Sequence, residues 1–183
     1  MLEIIGAGVA VIIAAILVLA ARQPDVCHIA RSIFIAAPPE RIFPLIDDPR
    51  ASNEWSPFVK DPSVKLSYAG PERGVGAACD FEGNAKVGAG RVEIVESVAP
   101  SKVVVTLRLD RPMKCSNRVE FTIAPQNGGS LVTWDMKGRQ PFLGKLFSLV
   151  MRPEKMVGGA FEQGLGDLER LVETARDEAA PTA

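Results

Sequence analysis

Hydrophobic positions change period twice along this chain. Ile4 to Ala21 is an unbroken run of apolar or small residues between Glu3 and Arg22. As a helix it would measure ~27 Å, close to a bilayer core, and it has no polar face of the kind a globular helix keeps. The run predicts a membrane anchor over residues 1–22. A cleaved signal peptide ending near Val18-Leu19-Ala20 is the rival; the start Met1-Leu2-Glu3 lacks a basic region and the run is long for one.

Residues 23–25 read as a linker, and period two takes over at Val26. Val26 to Ala36 is a strand signal with apolar residues on both faces, Ile33 and Ile35 on one and Phe34 on the other. Pro38-Pro39-Glu40 opens a helix carrying Ile42, Phe43, Leu45 and Ile46, short or bent because Pro44 interrupts it. Asp47-Asp48-Pro49 closes it, and Arg50 to Asn53 reads as a second short helical turn.

Six strands follow. Val64, Leu66 and Tyr68 alternate with polar neighbours before the turn Gly70 to Gly74, and Ala77 to Glu82 and Lys86 to Ser97 come next. Val103, Val105, Leu107 and Leu109 give a half-buried face. So do Cys115, Asn117, Val119, Phe121 and Ile123, and then Val132, Trp134 and Met136. Asn127-Gly128-Gly129 is a hairpin signal, and short turns throughout require an antiparallel meander. The end is helical: Leu146, Val150, Val157, Phe161, Leu165, Leu168 and Val172 recur at three- and four-residue spacing, with Pro153 dividing a leading helix from a long one. Gly158, Gly159, Gly164 and Gly166 weaken that helix, which suggests close packing, room for a ligand, or tolerated local mobility. Residues 177–183 read as a polar tail.

Composition narrows the chemistry. Lys and Arg number 21 against 22 Asp and Glu, so no field gathers nucleic acid. Arg22 and Arg31 place the domain in the cytoplasm by the positive-inside rule, on a thin count that leaves the other side open. Gly6 and Ala10, four apart, could pack two anchors into a weak dimer. Cys27, Cys79 and Cys115 are too few and scattered for a disulfide framework or a zinc site. His28 is the single histidine, which removes most catalytic triads and two-histidine metal sites; it is expected to be structural or exposed. The glycines from Gly70 to Gly76 lack the Gly-Lys-Ser/Thr of a phosphate loop and lie between strands.

The order strand, two short helices, six strands, long helix resembles the START-like, polyketide-cyclase (SRPBCC) superfamily with its helix-grip fold. The resemblance is carried by Arg31-Ser32-Ile33 through Ala37-Pro38-Pro39-Glu40-Arg41-Ile42-Phe43, Trp55-Ser56-Pro57-Phe58, Tyr68-Ala69-Gly70-Pro71 and Gly74-Val75-Gly76. Further on it is carried by Gly88-Ala89-Gly90-Arg91 with Glu93-Ile94-Val95-Glu96, Val132-Thr133-Trp134-Asp135-Met136 and Phe161-Glu162-Gln163-Gly164-Leu165. It covers nearly all of residues 26–175, and the order of these stretches is more telling than any one of them. It implies an α+β domain over 26–176, a curved seven-stranded antiparallel sheet around the C-terminal helix, and an apolar cavity between them for a lipid or hydrophobic small molecule.

The candidate cavity lining is Trp55, Phe58, Phe81, Leu107, Leu109, Val119, Phe121, Trp134, Met136, Val157 and Phe161, with a solid core as the alternative reading of each. Met113, Met151 and Met156 could line a pliable entrance or simply fill space. Asp80, Glu82, Arg91, Glu93, Arg108 and Tyr68 are the groups available for acid–base work, but they form no set that the family's enzymes would use. No catalytic residue, metal or cofactor is expected. Three functions remain: a membrane-tethered binding module for a hydrophobic molecule, a cyclase- or dehydratase-like enzyme, and a chaperone-like interaction module. The first is preferred.

Overall fold

A computed structural model describes residues 2–84, 87–111, 114–151 and 153–179. Its elements in chain order are α1 (Leu2–Ala21), β1 (Val26–Ile35), α2 (Pro39–Asp47), α3 (Pro49–Trp55), β2 (Lys65–Ala69), β3 (Ala78–Glu82), β4 (Ala89–Val98), β5 (Lys102–Arg111), β6 (Cys115–Gln126), β7 (Gly129–Arg139), α4 (Phe142–Met151) and α5 (Pro153–Ala179). Met113 and residues 180–183 of the expected tail lie outside the described residues, and α5 carries the first part of that tail as helix.

All seven strands form one antiparallel sheet in the order β1-β7-β6-β5-β4-β3-β2. Strands β2 to β7 are the expected meander, and β1 joins it by pairing with β7 over its whole length, from Val26 opposite Arg139 to Ile35 opposite Ser130. The β6–β7 turn is built as its residues dictate. Asn127 and Gly128 both adopt positive φ, 46° and 82°, which a two-residue turn matched to sheet twist requires.

Helix α2 starts on Pro39 and tolerates Pro44 inside it, burying Ile42, Phe43 and Ile46. Asp48 caps α3 by accepting from the Arg50 amide at 2.7 Å. The α2–α3 pair is fastened to the sheet at two buried points. Asp47 accepts from the Ser97 hydroxyl at 2.6 Å, and the Ser130 hydroxyl donates to the Ala37 carbonyl at 2.8 Å. Helix α5 lies along β1 and touches β7, α2 and α3. Its buried stripe, Phe161, Leu165, Leu168 and Val172, closes the core against Ile29, Ile35, Ile42, Val132 and Trp134.

The α5 glycines divide by position. A Cβ on Gly164 would come within 2.9 Å of both Pro57 Cδ and Trp134 Cζ3, and one on Gly158 would overlap the Arg31 guanidinium. These two are packing glycines, whereas Gly159 and Gly166 face open space. On β5, Val104 is buried as fully as Val103, although its side chain is on the opposite face. Its register neighbours are Glu96 and Glu120, and the ion pairs Lys102–Glu96, Arg118–Glu96 and Arg118–Glu120 spread their aliphatic stems around it.

The expected single membrane pass, and with it the placing of the domain on one side of a membrane, is corrected here. Among the described residues no helix is long and apolar enough to cross a membrane. Helix α1 runs from Leu2 to Ala21. Its end is moreover packed as protein: Ala20 is fully buried and α1 lies against α4. The side chains of Gly6 and Ala10, on which a paired anchor would depend, fall outside those described.

Candidate functional site

The face of the sheet turned toward α5 is continuous from strand to strand by register. Ile29, Trp134 and Met136 on β1 and β7 continue into Val119 and Phe121 on β6 and Leu107 and Leu109 on β5. Gly90, Val92, Cys79, Phe81, Leu66 and Tyr68 follow on β4, β3 and β2. Two regions of this inner face differ sharply in burial.

The first is filled. Trp134 stacks on Phe161 with centroids 4.1 Å apart and planes within 8°. Trp55 meets Trp134 edge-on at 5.5 Å and Phe121 at 5.9 Å, and Phe121 leans on Trp134 at 5.0 Å. Phe58 caps the group, edge-on to Trp134 at 6.2 Å and to Phe161 at 6.4 Å, and stays 44% exposed. Of the eleven expected lining residues, Trp55, Val119, Phe121, Trp134 and Phe161 are therefore core, and Phe58 is a cover. The Trp55 indole donates to the Leu45 carbonyl at 2.9 Å, which locks α3 onto α2 beneath the cluster.

The second region is left half-buried. Phe81, Leu107, Leu109, Met136 and Val157 belong to it, together with Leu66, Val92, Cys115 and Asn117, which the sequence reading did not single out as lining. Their inward parity was legible; their incomplete cover was not, because it follows from α5 lying along β1 rather than over β3 to β5. Phe81 lies across Gly90, whose missing Cβ leaves room for the ring. At the edge of this region Asn53 on α3 donates to the Tyr68 hydroxyl at 3.1 Å and to Cys79 Sγ at 3.5 Å, while Arg50 stands over the Tyr68 ring at 4.3 Å.

The remaining groups considered for acid–base work lie on the outer face. Arg91 pairs with Asp80 at 2.9 Å and with Glu93 at 3.4 Å, and Arg111 reaches Glu82 at 2.8 Å. The Asp80 partnership, through its hydrogen bond and its charge, holds the Arg91 guanidinium above its ordinary pKa. Arg108 is exposed. His28 is exposed as well, bonded to Asp135 at 2.6 Å. Cys79 is buried and Cys27 and Cys115 half-buried; burial pushes all three thiols up, Cys79 despite the opposing hydrogen bond from Asn53. A separate shallow cleft of about 170 Å³ opens between α2, α3 and α5, lined by Arg41, Leu45, Glu54, Leu171, Val172 and Ala175. It is smaller than the ~300 Å³ at which ligand pockets usually begin.

Residues 26–173 match the sequence model of the family described as polyketide cyclase / dehydrase and lipid transport. The chain belongs to that family. Solved structures agree on the fold. The protein CV1439 from Chromobacterium violaceum is 22% identical, with 82% of this chain and 99% of that one aligned and a TM-score of 0.58. TTHA0849 from Thermus thermophilus is 20% identical over 81% of this chain and 99% of its own, with a TM-score of 0.59. DynU16, a protein of the dynemicin biosynthetic locus, is 14% identical, with 84% of this chain and 49% of that one aligned and a TM-score of 0.59. No curated protein matches the chain.

Proposed function

We propose that this protein binds a hydrophobic small molecule or lipid against the half-buried inner face formed by Phe81, Leu107, Leu109, Met136 and Val157. The observation that carries the reading is the contrast between the two regions of that face. Where α5, α2 and α3 cover the sheet, the aromatic cluster fills the space; beyond them, apolar side chains from β3 to β7 keep partial access to solvent. An exposed contiguous apolar surface is costly in water, and a ligand that covers it recovers ~25 cal/mol per Å². The family's description, which includes lipid transport, supports the same class of ligand.

The placement of the charged groups weighs against acid–base chemistry on this face. Asp80, Glu82, Arg91 and Glu93 are paired on the outer surface; on the inner side the titratable groups include thiols with raised pKa, Tyr68, Asp47 held by the Ser97 hydroxyl, and the Arg31–Glu162 pair at 2.6 Å. The test is native mass spectrometry of the purified full chain, followed by organic extraction of whatever it carries. A co-purifying apolar molecule near one equivalent is the expected result. A mass that stays bare after incubation with lipids and with aromatic hydrocarbons would overturn the reading.

A further inference from the structure

Two hydrogen-bonding groups on the inner face lack partners among the described residues. Trp134 is only 6% exposed, and its Nε1 is buried with no acceptor among those residues. The fold contains a direct contrast in Trp55, whose Nε1 is satisfied by Leu45. The Trp134 ring is fixed on two sides: one face lies on Phe161, and the Cζ3 edge abuts the position of Gly164. Its N–H is on the opposite edge. A buried indole donor without an acceptor is uncommon in a native fold, where such groups are nearly always paired.

The second group is the Asn117 carboxamide. Asn117 faces inward, with Leu107 beside it on β5 and Gly138 on β7. A Cβ on Gly138 would overlap the Asn117 oxygen, so the glycine makes the space that the amide occupies. Its side chain has no hydrogen bond to another described residue, although its neighbours along β6 and across to β5 are apolar. Asn117 and Phe121, the strand partner of Trp134, are four residues apart on β6, or ~13 Å, with Val119 and Met136 between.

Resting on the binding reading above, we infer that these two groups select the ligand: the inner face takes an apolar molecule carrying oxygen acceptors. A ketone, ester or hydroxyl oxygen receives the Trp134 N–H, and Asn117 serves a second oxygen nearer the rim.

The experiment compares 2-acetylnaphthalene with 2-ethylnaphthalene, which share a ring system and nearly the same volume but differ in one carbonyl. Each is titrated into the ¹⁵N-labelled full chain. The two tryptophans give two indole N–H resonances, assigned with Trp134→Phe. The ketone is expected to bind about five- to tenfold more tightly and to move the Trp134 resonance downfield while that of Trp55 stays in place. A second acetyl group, as in 2,6-diacetylnaphthalene, is expected to tighten binding further in the wild type but not in Asn117→Leu, and equal tightening in both removes Asn117 from the inference. Equal binding of the two compounds with an unmoved Trp134 resonance overturns this inference and leaves the apolar site standing. Binding of neither compound up to its solubility overturns both.

Discussion

The indole of Trp134 and the ring of Phe161 lie face to face, 4.1 Å between centroids, and this contact joins the last strand to the long helix.

Phe161→Ala should therefore be among the most damaging single changes. Phe161 is 1% exposed, and a large aromatic removed from a packed core costs about 3–5 kcal/mol. Urea unfolding followed by tryptophan fluorescence should show the midpoint fall with little change in slope. Phe161→Leu should lose less than half as much. A loss below ~1 kcal/mol for the alanine variant would mean that the stack contributes little.

Gly164→Ala and Gly166→Ala should move stability in opposite directions. The new methyl at 164 would sit 2.9 Å from Pro57 and Trp134, a clash expected to cost about 1–3 kcal/mol. At 166 nothing lies within 4 Å, and alanine should gain up to ~1 kcal/mol from helix propensity. Thermal midpoints of the two variants, measured side by side, check the pair.

Met136→Trp should block the half-buried region without disturbing the core. Met136 sits between Val119 on β6 and Ile29 on β1 and retains some exposure, so a larger ring can extend outward over Leu107. Binding of a naphthalene probe should weaken by about tenfold or more, ~1.4 kcal/mol, while the thermal midpoint stays within a few degrees. Undiminished binding would move the site elsewhere on the molecule.

Asp135 should make stability fall in acid. Its burial favours the neutral form, but hydrogen bonds from His28 and Lys137 and their charges outweigh it and hold the carboxyl below its ordinary 3.8. A carboxylate depressed in the folded state stabilises fully above the unfolded value and loses that contribution as pH falls through the lower folded value. Asp135→Asn should therefore flatten the pH dependence of stability below about pH 4, measured as urea midpoints between pH 5 and pH 2.5. An unchanged slope would mean that the His28 contact is too solvent-exposed to matter.

How much of this was legible beforehand differs by residue. Alternation along Val103 to Leu109 and the Asn127-Gly128 pair announced strands and turn, because period two and positive φ are local properties. The pairing of β1 with β7 is not local: His28 and its partner Lys137 are far apart in sequence, and it was the likeness of the whole order of elements that placed them in one sheet. Within the expected lining, parity told which residues face inward, yet it could not divide Trp134 and Phe121 from Leu107 and Leu109. That division depends on the path of α5, which is fixed by the close approaches at Gly158 and Gly164. The orphaned N–H of Trp134 had no sequence signal, since tryptophan in an apolar strand reads as core. Asn117 did leave a signal, an amide at an inward position between Cys115 and Val119.

The pairing of β1 with β7 also fixes an order of events in synthesis. β1 is the first of these seven strands to be made, but its neighbour in the sheet, β7, begins at Gly129, about a hundred residues later. At ~5–20 residues per second the strand waits on the order of 5–20 s, with its backbone donors and acceptors facing water and whatever else is near. Over that interval a nascent chain carrying an unpaired, partly apolar strand is a natural client for a chaperone; deleting β1 would leave the β7 edge permanently open, and deleting β7 would leave β1 with no partner.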